Sequence, residues 1–329
     1  MKTVIFKHFG DPDVLQLVER PTPGIKPGEV LIDIHATALN FSDLLQRRGT
    51  YVMKTEGENI LGIECSGVIA KVGEHVRNRA VGDRVCALLP GGGYGEQVAV
   101  NAEHVLPCPQ GLSLLEAAAL PEAACTLWSN LRDIGRLQPG ETVLIHGGAG
   151  GVGSLAIQWA RQWGARVLTT AGSPDKLQRC LELGADVAID YRNEDFVDVV
   201  ARVTEGRGVD VILDNMGAAY LARNIEALAV DGRIVMIGLQ SGREAPIHLG
   251  KMMSKRAALH TTSLRDRSAA AKAAIVAGVL HDVWPHLLTG TIKPVIDKTF
   301  PLSDVVAAHA YMESGGHVGK IVLQIKDSR

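Results

Sequence analysis

The chain shows no clustering of metal ligands. Its five cysteines, Cys65, Cys86, Cys108, Cys125 and Cys180, are odd in number and scattered, and none are spaced as Cys-x-x-Cys. Its eleven histidines include no His-x-His or His-x-x-x-His pair. Zinc sites and disulfide scaffolds both leave denser patterns, so the cysteines read as free thiols filling a core, and no metal site is assigned. No apolar run approaches the roughly 18 residues that a membrane helix needs. Met1-Lys2-Thr3-Val4-Ile5-Phe6-Lys7 is broken by charge too early for a signal peptide and reads as a strand. A net charge of −2 with interspersed signs leaves no basic footprint for nucleic acid. Repeats and low-complexity tracts are missing as well. The expectation is a soluble cytoplasmic protein with neither nucleic-acid nor membrane partners.

What is present is size, apolar content and a glycine cluster. With 329 residues, 46% of them hydrophobic, the chain can bury two cores and is expected to form two domains. In the first third, short β-type runs at 30–36, 67–72, 84–88 and 97–100 alternate with Gly/Pro turns, and one helical stretch, 42–48, has Asn40 or Ser42 placed to cap it. Apolar runs then alternate with amphipathic helical patterns, at 142–146, 166–170, 187–190, 209–214 and 233–238. That rhythm implies a parallel sheet of βαβ units. The run at 320–325, isolated at the end of the chain, is expected to return to the first domain, which makes the parallel-sheet domain an insertion.

The central signal is Val143-Leu144-Ile145-His146-Gly147-Gly148-Ala149-Gly150-Gly151-Val152-Gly153, a β-branched run passing through glycines into a helical pattern. Glycine permits a tight turn and close approach of phosphates, while a helix N-terminus offers unpaired N–H groups and a positive dipole end. Gly148, Gly150, Gly151, Val152 and Gly153 are therefore assigned to the pyrophosphate of a dinucleotide. An NAD site would end its second strand in Asp or Glu for the ribose 2′-hydroxyl. Here the strand runs into Thr170-Ala171-Gly172-Ser173-Pro174-Asp175-Lys176. Gly172, a Ser173 donor, Lys176 and a helix N-terminus would instead accept a 2′-phosphate, which points to NADPH. Ser173-Pro174 is also an ordinary helix start, and the two readings are compatible. Asn215 and Gly238-Leu239 follow the fourth and fifth runs, where ligands of such sheets collect; each could equally be a strand-ending turn. Trp159 and Trp163, four apart on the helix after the glycines, read as packing or interface residues.

Several motifs together resemble a known family. They are Ala38-Leu39-Asn40-Phe41-Ser42-Asp43-Leu44-Leu45-Gln46-Arg47-Arg48-Gly49-Thr50-Tyr51, Ile60-Leu61-Gly62-Ile63-Glu64-Cys65-Ser66-Gly67, Ala87-Leu88-Leu89-Pro90-Gly91-Gly92-Gly93, Ala119-Leu120-Pro121-Glu122-Ala123 and Ser263-Leu264-Arg265. With the order of elements, they resemble the medium-chain dehydrogenase/reductase superfamily, and within it the zeta-crystallin-type quinone oxidoreductases, closest to the tumour-suppressor-inducible branch. The resemblance implies an α/β architecture: a GroES-like β-rich barrel domain over 1–118 and 264–329, and an inserted Rossmann domain over 119–263. It places Tyr191 against the 2′-phosphate and Gly238, Leu239, Ser263 and Leu264 beside the nicotinamide. It also sets Tyr51 and Asn40 at the substrate, where the Tyr51 phenol would hydrogen-bond a quinone oxygen or simply line the cleft. Zinc-dependent relatives carry a cysteine ligand just before the Asn40 helix and Gly-His-Glu where this chain has Gly62-Ile63-Glu64. Isoleucine cannot bind zinc, so the resemblance implies reduction without a metal.

The expectation is thus a zinc-independent NADPH:quinone oxidoreductase, forming a homodimer through the outer strand of the cofactor sheet, supplied by residues 230–249. An enoyl or alkenal/one reductase, or a non-enzymatic NADPH-binding protein, are the alternatives.

Overall fold

A computed structural model describes residues 1–51 and 61–326. Ile60, in one of the motifs above, lies outside them. The chain forms two compact units, one of residues 1–125 and 265–329 and the other of residues 126–264. The family resemblance puts these boundaries at 118/119 and 263/264. Residues 119–125 join the first unit because Ala118 and Ala119 pack with Ala36, Ala38 and Val322, and the Glu122 N–H donates to Glu64 Oε2 at 2.9 Å.

The first unit is built on a seven-stranded sheet. Glu29–Ala38 pairs antiparallel with Glu64–Val72, Gln97–Asn101 and Lys320–Gln324. Arg84–Leu88 and Val105–Pro107 continue one side, and Ile296–Pro301 lies parallel to Lys320–Gln324 on the other. The terminal strand does return to this unit, through Val322 opposite Ala38. Alternate residues of Glu29–Ala38, Val30, Ile32 and Ile34, meet Cys65, Ile69, Val85 and Ala87 in one core, as a period of two requires. Ile63 is buried, 4% exposed. The helix Phe41–Arg47 leaves the long strand with Asn40 as its N-cap.

The second unit is a six-stranded, wholly parallel sheet. Its strands are β1 (Thr142–His146), β2 (Arg166–Ala171), β3 (Val187–Asp190), β4 (Val209–Asp214), β5 (Leu228–Met236) and β6 (Ala258–Thr261). Their spatial order is 3-2-1-4-5-6, the doubly wound order of a Rossmann domain, so the sheet reverses direction of winding between β1 and β4. Every residue of β1 and β4 is buried, which is why Val143-Leu144-Ile145 and Val211-Ile212-Leu213 read as apolar runs. Crossover helices α1 (Gly151–Gln162), α2 (Pro174–Glu182), α3 (Phe196–Val203) and α4 (Ala218–Ala227) connect successive strands. Trp159 is fully buried and stacks on Trp163, with centroids 5.3 Å apart, which bears out the packing reading.

The outer strand differs from the expected one. Residues 230–249 hold most of β5, which is interior, and the edge on that side of the sheet is β6, with β3 at the other. Ala258-Leu259-His260-Thr261 is too short and too polar to stand out as a strand in the sequence.

Candidate functional site

The carboxyl ends of the Rossmann strands converge on the glycine loop. Gly147 turns the chain at φ +70°, and a side chain there would press on Asn215 Nδ2. A Cβ on Gly148 would sit 1.9 Å from Thr169 Oγ1, and one on Gly153 would sit 2.4 Å from the Gly147 carbonyl oxygen. These glycines are demanded by close backbone packing. The loop is held by N–H groups of Gly148 and Gly150 donating to the carbonyls of Thr170 (3.1 Å) and Gly147 (3.0 Å). Helix α1 starts at Gly151 with Gly150 as N-cap, so the first-turn N–H groups of Gly151, Val152 and Gly153 have no carbonyl four residues back within the helix. The result is a bare backbone cradle at the positive end of a helix dipole, suited to a pyrophosphate.

The ends of β2 and β3 form a second cluster. Ser173 caps α2 and accepts from the Lys176 N–H at 3.4 Å. A Cβ on Gly172 would lie 2.3 Å from the Tyr191 hydroxyl, so this phenol rests directly against the Gly172 backbone. Tyr191 remains 44% exposed. Thus Tyr191, which follows β3, is brought against the Gly172-Ser173-Pro174-Asp175-Lys176 segment that follows β2, and no carboxylate stands at the end of β2.

Beyond β4 and β5, Asn215 Oδ1 is buried with no hydrogen-bond partner among the described residues. A Cβ on Gly238 would lie 2.8 Å from the Asn215 carbonyl oxygen, so the two strand ends abut. Leu239 is 39% exposed and packs over Gly217. Ser263 and the buried Leu264 follow β6, where the Thr262 N–H donates to the Met236 carbonyl at 3.1 Å. Sequence reasoning missed Asp214 and His146, the polar ends of apolar strands. Asp214 accepts from the Met216 and Gly217 N–H groups at 2.7 and 3.2 Å, and burial pushes its carboxyl up to about 6.

In the first unit, Asn40 is buried and its amide is fully engaged. Its Nδ2 donates to Glu64 Oε1 (2.8 Å) and to the Ala38 carbonyl (3.3 Å), and its Oδ1 accepts from Lys320 Nζ (2.7 Å). With both N–H bonds used, Asn40 has no donor left for a ligand. Tyr51 is partly buried, beyond the other end of the same helix, and its N–H donates to the Leu45 carbonyl. Arg265 lies over its ring at 5.2 Å from the centroid, anchored by Nη1 to Gln46 Oε1 (2.8 Å) and Nε to the Pro90 carbonyl (3.2 Å). Burial raises the Tyr51 phenol above its ordinary pKa, and the Arg265 charge opposes that rise.

All five cysteines are free, and burial raises each thiol, that of Cys180 to about 11, so none is a thiolate at neutral pH. Among the described residues no three His, Cys, Asp or Glu side chains converge on a metal position, and no helix is long and apolar enough to cross a membrane.

A β-rich unit and a separate parallel-sheet unit with a glycine-loop cradle define a two-domain dehydrogenase-type oxidoreductase fold. Comparison with known proteins agrees. Residues 26–110 match the alcohol dehydrogenase GroES-like domain, and residues 183–323 match the zinc-binding dehydrogenase family. The chain is 33% identical over 342 residues to a 2-haloacrylate reductase from Burkholderia, covering 98% of both proteins. It is 35% identical over 297 residues to a phenolphthiocerol/phthiocerol polyketide synthase subunit of Mycobacterium tuberculosis, covering 90% of this chain but spanning only 14% of that protein. Among solved structures it resembles the Escherichia coli quinone oxidoreductase complexed with NADPH, at TM-score 0.90, 29% identity and coverage of 99% and 100%. It also resembles the CurK enoyl reductase, at TM-score 0.86, 30% identity and coverage of 99% of each chain. The chain belongs to the medium-chain dehydrogenase/reductase superfamily and has its zinc-independent, quinone-oxidoreductase-like form.

Proposed function

We propose that the protein is an NADPH-dependent reductase that passes hydride to quinones without a metal. The observation that carries the reading is the joint geometry of the two strand-end clusters: a glycine-rich backbone cradle for a pyrophosphate, and at the neighbouring strand ends Gly172, Ser173, Lys176 and Tyr191 with no acid at the end of β2. An acidic residue there would repel a 2′-phosphate, whereas a hydroxyl, a lysine and a helix N-terminus attract it. When bound, NADPH supplies the hydride. The protein's part is to bind and orient. Gly151, Val152 and Gly153 hold the pyrophosphate through first-turn N–H groups, Gly148 and Gly150, whose N–H groups are taken by the Thr170 and Gly147 carbonyls, shape the loop around it, and Asn215, Gly238, Leu239, Ser263 and Leu264 border the nicotinamide. Tyr51 donates its hydroxyl to the acceptor oxygen as negative charge develops there. Asn40, with its amide engaged, fixes the start of the helix Phe41–Arg47 that leads to Tyr51.

The same hydride geometry serves an activated C=C bond. The full-length likeness to a 2-haloacrylate reductase and the likeness to an enoyl reductase favour this as the second reading. Within the family, the motifs around Asn40, Tyr51 and Ser263 support placement with the tumour-suppressor-inducible branch. A second copy of the chain is proposed to pair along β6, the sheet edge, near the exposed Val230, Ile247 and Leu249. NADPH oxidation measured against matched quinones and α,β-unsaturated carbonyls tests the function. Higher kcat/KM on quinones supports the first reading, and the reverse order supports the second.

A further inference from the structure

His146 ends β1, one residue before the loop turns, and its side chain is 3% exposed. Its Nε2 lies 2.8 Å from Asn224 Oδ1 on α4, and its Nδ1 lies 3.2 Å from Thr170 Oγ1 on β2. A carbonyl oxygen only accepts, so Nε2 carries the proton and Nδ1 presents a lone pair to the Thr170 hydroxyl. That hydroxyl therefore donates to Nδ1 and turns a lone pair toward the Gly147 N–H, 3.3 Å away. The Thr170 carbonyl takes the next N–H of the loop, that of Gly148. Thr170 thus grips two consecutive loop amides, one through its backbone and one through a hydroxyl whose direction the imidazole sets.

The ring cannot swing. Phe196 and Tyr220 meet it edge-on, each at 4.9 Å, and Arg223 covers both aromatic rings at 4.9 and 4.6 Å. Burial holds the imidazole pKa down to about 4, so it stays neutral at physiological pH. At the end of β4, Asp214 orders the Met216 and Gly217 amides, while Asn224 Nδ2 is buried with no hydrogen-bond partner among the described residues. One imidazole therefore links the end of β1 to the end of β2 and to α4, at the base of the glycine loop.

We infer that His146, as the neutral Nε2–H tautomer, is the positioning residue of the glycine loop and sets, through the Thr170 hydroxyl, the backbone geometry that binds the dinucleotide pyrophosphate. This rests on the nucleotide reading given above. It assigns to His146 and Thr170 a role in cofactor affinity without contact with the reacting atoms.

The test uses the full-length protein and the variants Thr170→Val and Thr170→Ser, with NADPH and NADH binding followed by fluorescence titration. Thr170→Val keeps the shape and removes the hydroxyl. It is expected to raise the Kd of both nucleotides about tenfold, as losing one hydrogen bond implies, and to leave their ratio unchanged because the pyrophosphate is common to both. Thr170→Ser is expected to restore wild-type affinity. A purely structural role would lower Tm without this parallel change in the two affinities. Long-range ¹⁵N spectra of histidine-labelled wild-type protein provide a second readout and are expected to show the Nε2–H tautomer. Wild-type affinity in folded Thr170→Val, or an Nδ1–H tautomer for His146, would overturn the inference. If the wild-type protein bound neither nucleotide, the nucleotide reading itself would fall, while the tautomer would still decide the loop geometry.

Discussion

The Lys320 ammonium lies 2.6 Å from Glu64 Oε1, in surroundings where neither side chain is more than 6% exposed. The two residues are 256 positions apart, and they join the last strand to the second strand of the barrel-type sheet. Lys320 also donates to Asn40 Oδ1 and to the Leu39 carbonyl, while Glu64 accepts from Asn40 and from the Glu122 N–H. Every strong donor and acceptor in this cluster is matched, so the pair's cost of desolvation is offset only while both partners are present. Lys320→Met is expected to lower stability by about 3–5 kcal/mol, because it strands a buried carboxylate. Urea denaturation of Lys320→Met, Glu64→Leu and the double variant checks this, with the double expected to cost less than the sum of the singles.

Tyr51 and the glycine loop belong to different units, so their variants should separate kinetically. Tyr51→Phe is expected to lower kcat/KM for the acceptor by about 2 kcal/mol, roughly thirtyfold, with NADPH affinity unchanged. Steady-state kinetics with a nucleotide titration provide the check. Unchanged kcat and KM would leave Tyr51 as a ring that merely lines its surroundings.

The 2′-phosphate cluster makes a complementary prediction. Lys176→Ala and Tyr191→Phe are expected to weaken NADPH by about 1–2 kcal/mol each, as loss of a charge-assisted hydrogen bond would. NADH should bind as before, because it has no group to place there. Titrations of both nucleotides against each variant decide the point.

Acid stability follows from three buried groups. Burial holds His146 near 4 and His309 near 3, against 6.5 for a free imidazole. The unfolded chain therefore binds more protons than the native state between those values and 6.5, so the stability they give is complete above 6.5 and is lost as pH falls. Asp214, raised to about 6 from 3.8, acts in the opposite sense: the native state holds its proton more tightly, and stability from this group rises as pH falls from 6 to 4. Two histidines outweigh one carboxyl, giving a net loss on the order of 3 kcal/mol on acidification from pH 6.5 to 4. His309→Gln should flatten that profile and Asp214→Asn should steepen it, as read from urea midpoints across the pH series.

The parallel sheet and its cradle were legible because each depends on local pattern: apolar runs buried on both faces, and glycines set between a strand and a helix. Gly148 and Gly153 stood out in the sequence as loop glycines, and in the structure a side chain at either would collide with neighbouring protein atoms. The short edge strand β6 lacked such a signal. His146, Thr170 and Asn224 were invisible for a different reason. Their contacts span 24 and 78 residues and exist only once β1, β2 and α4 lie side by side. The expected substrate role of Asn40 was likewise modified by a distant residue, Lys320, whose contact with Asn40 local spacing cannot reveal.

The central claim is that the cradle and the β2–β3 cluster together select the phosphorylated coenzyme. Calorimetric titration of the wild-type protein with NADPH and NADH under identical buffer and salt tests it most directly. The account predicts NADPH binding at least about tenfold tighter, the contribution of one charge-assisted contact at the 2′-phosphate. Equal affinities, or a preference for NADH, would contradict it.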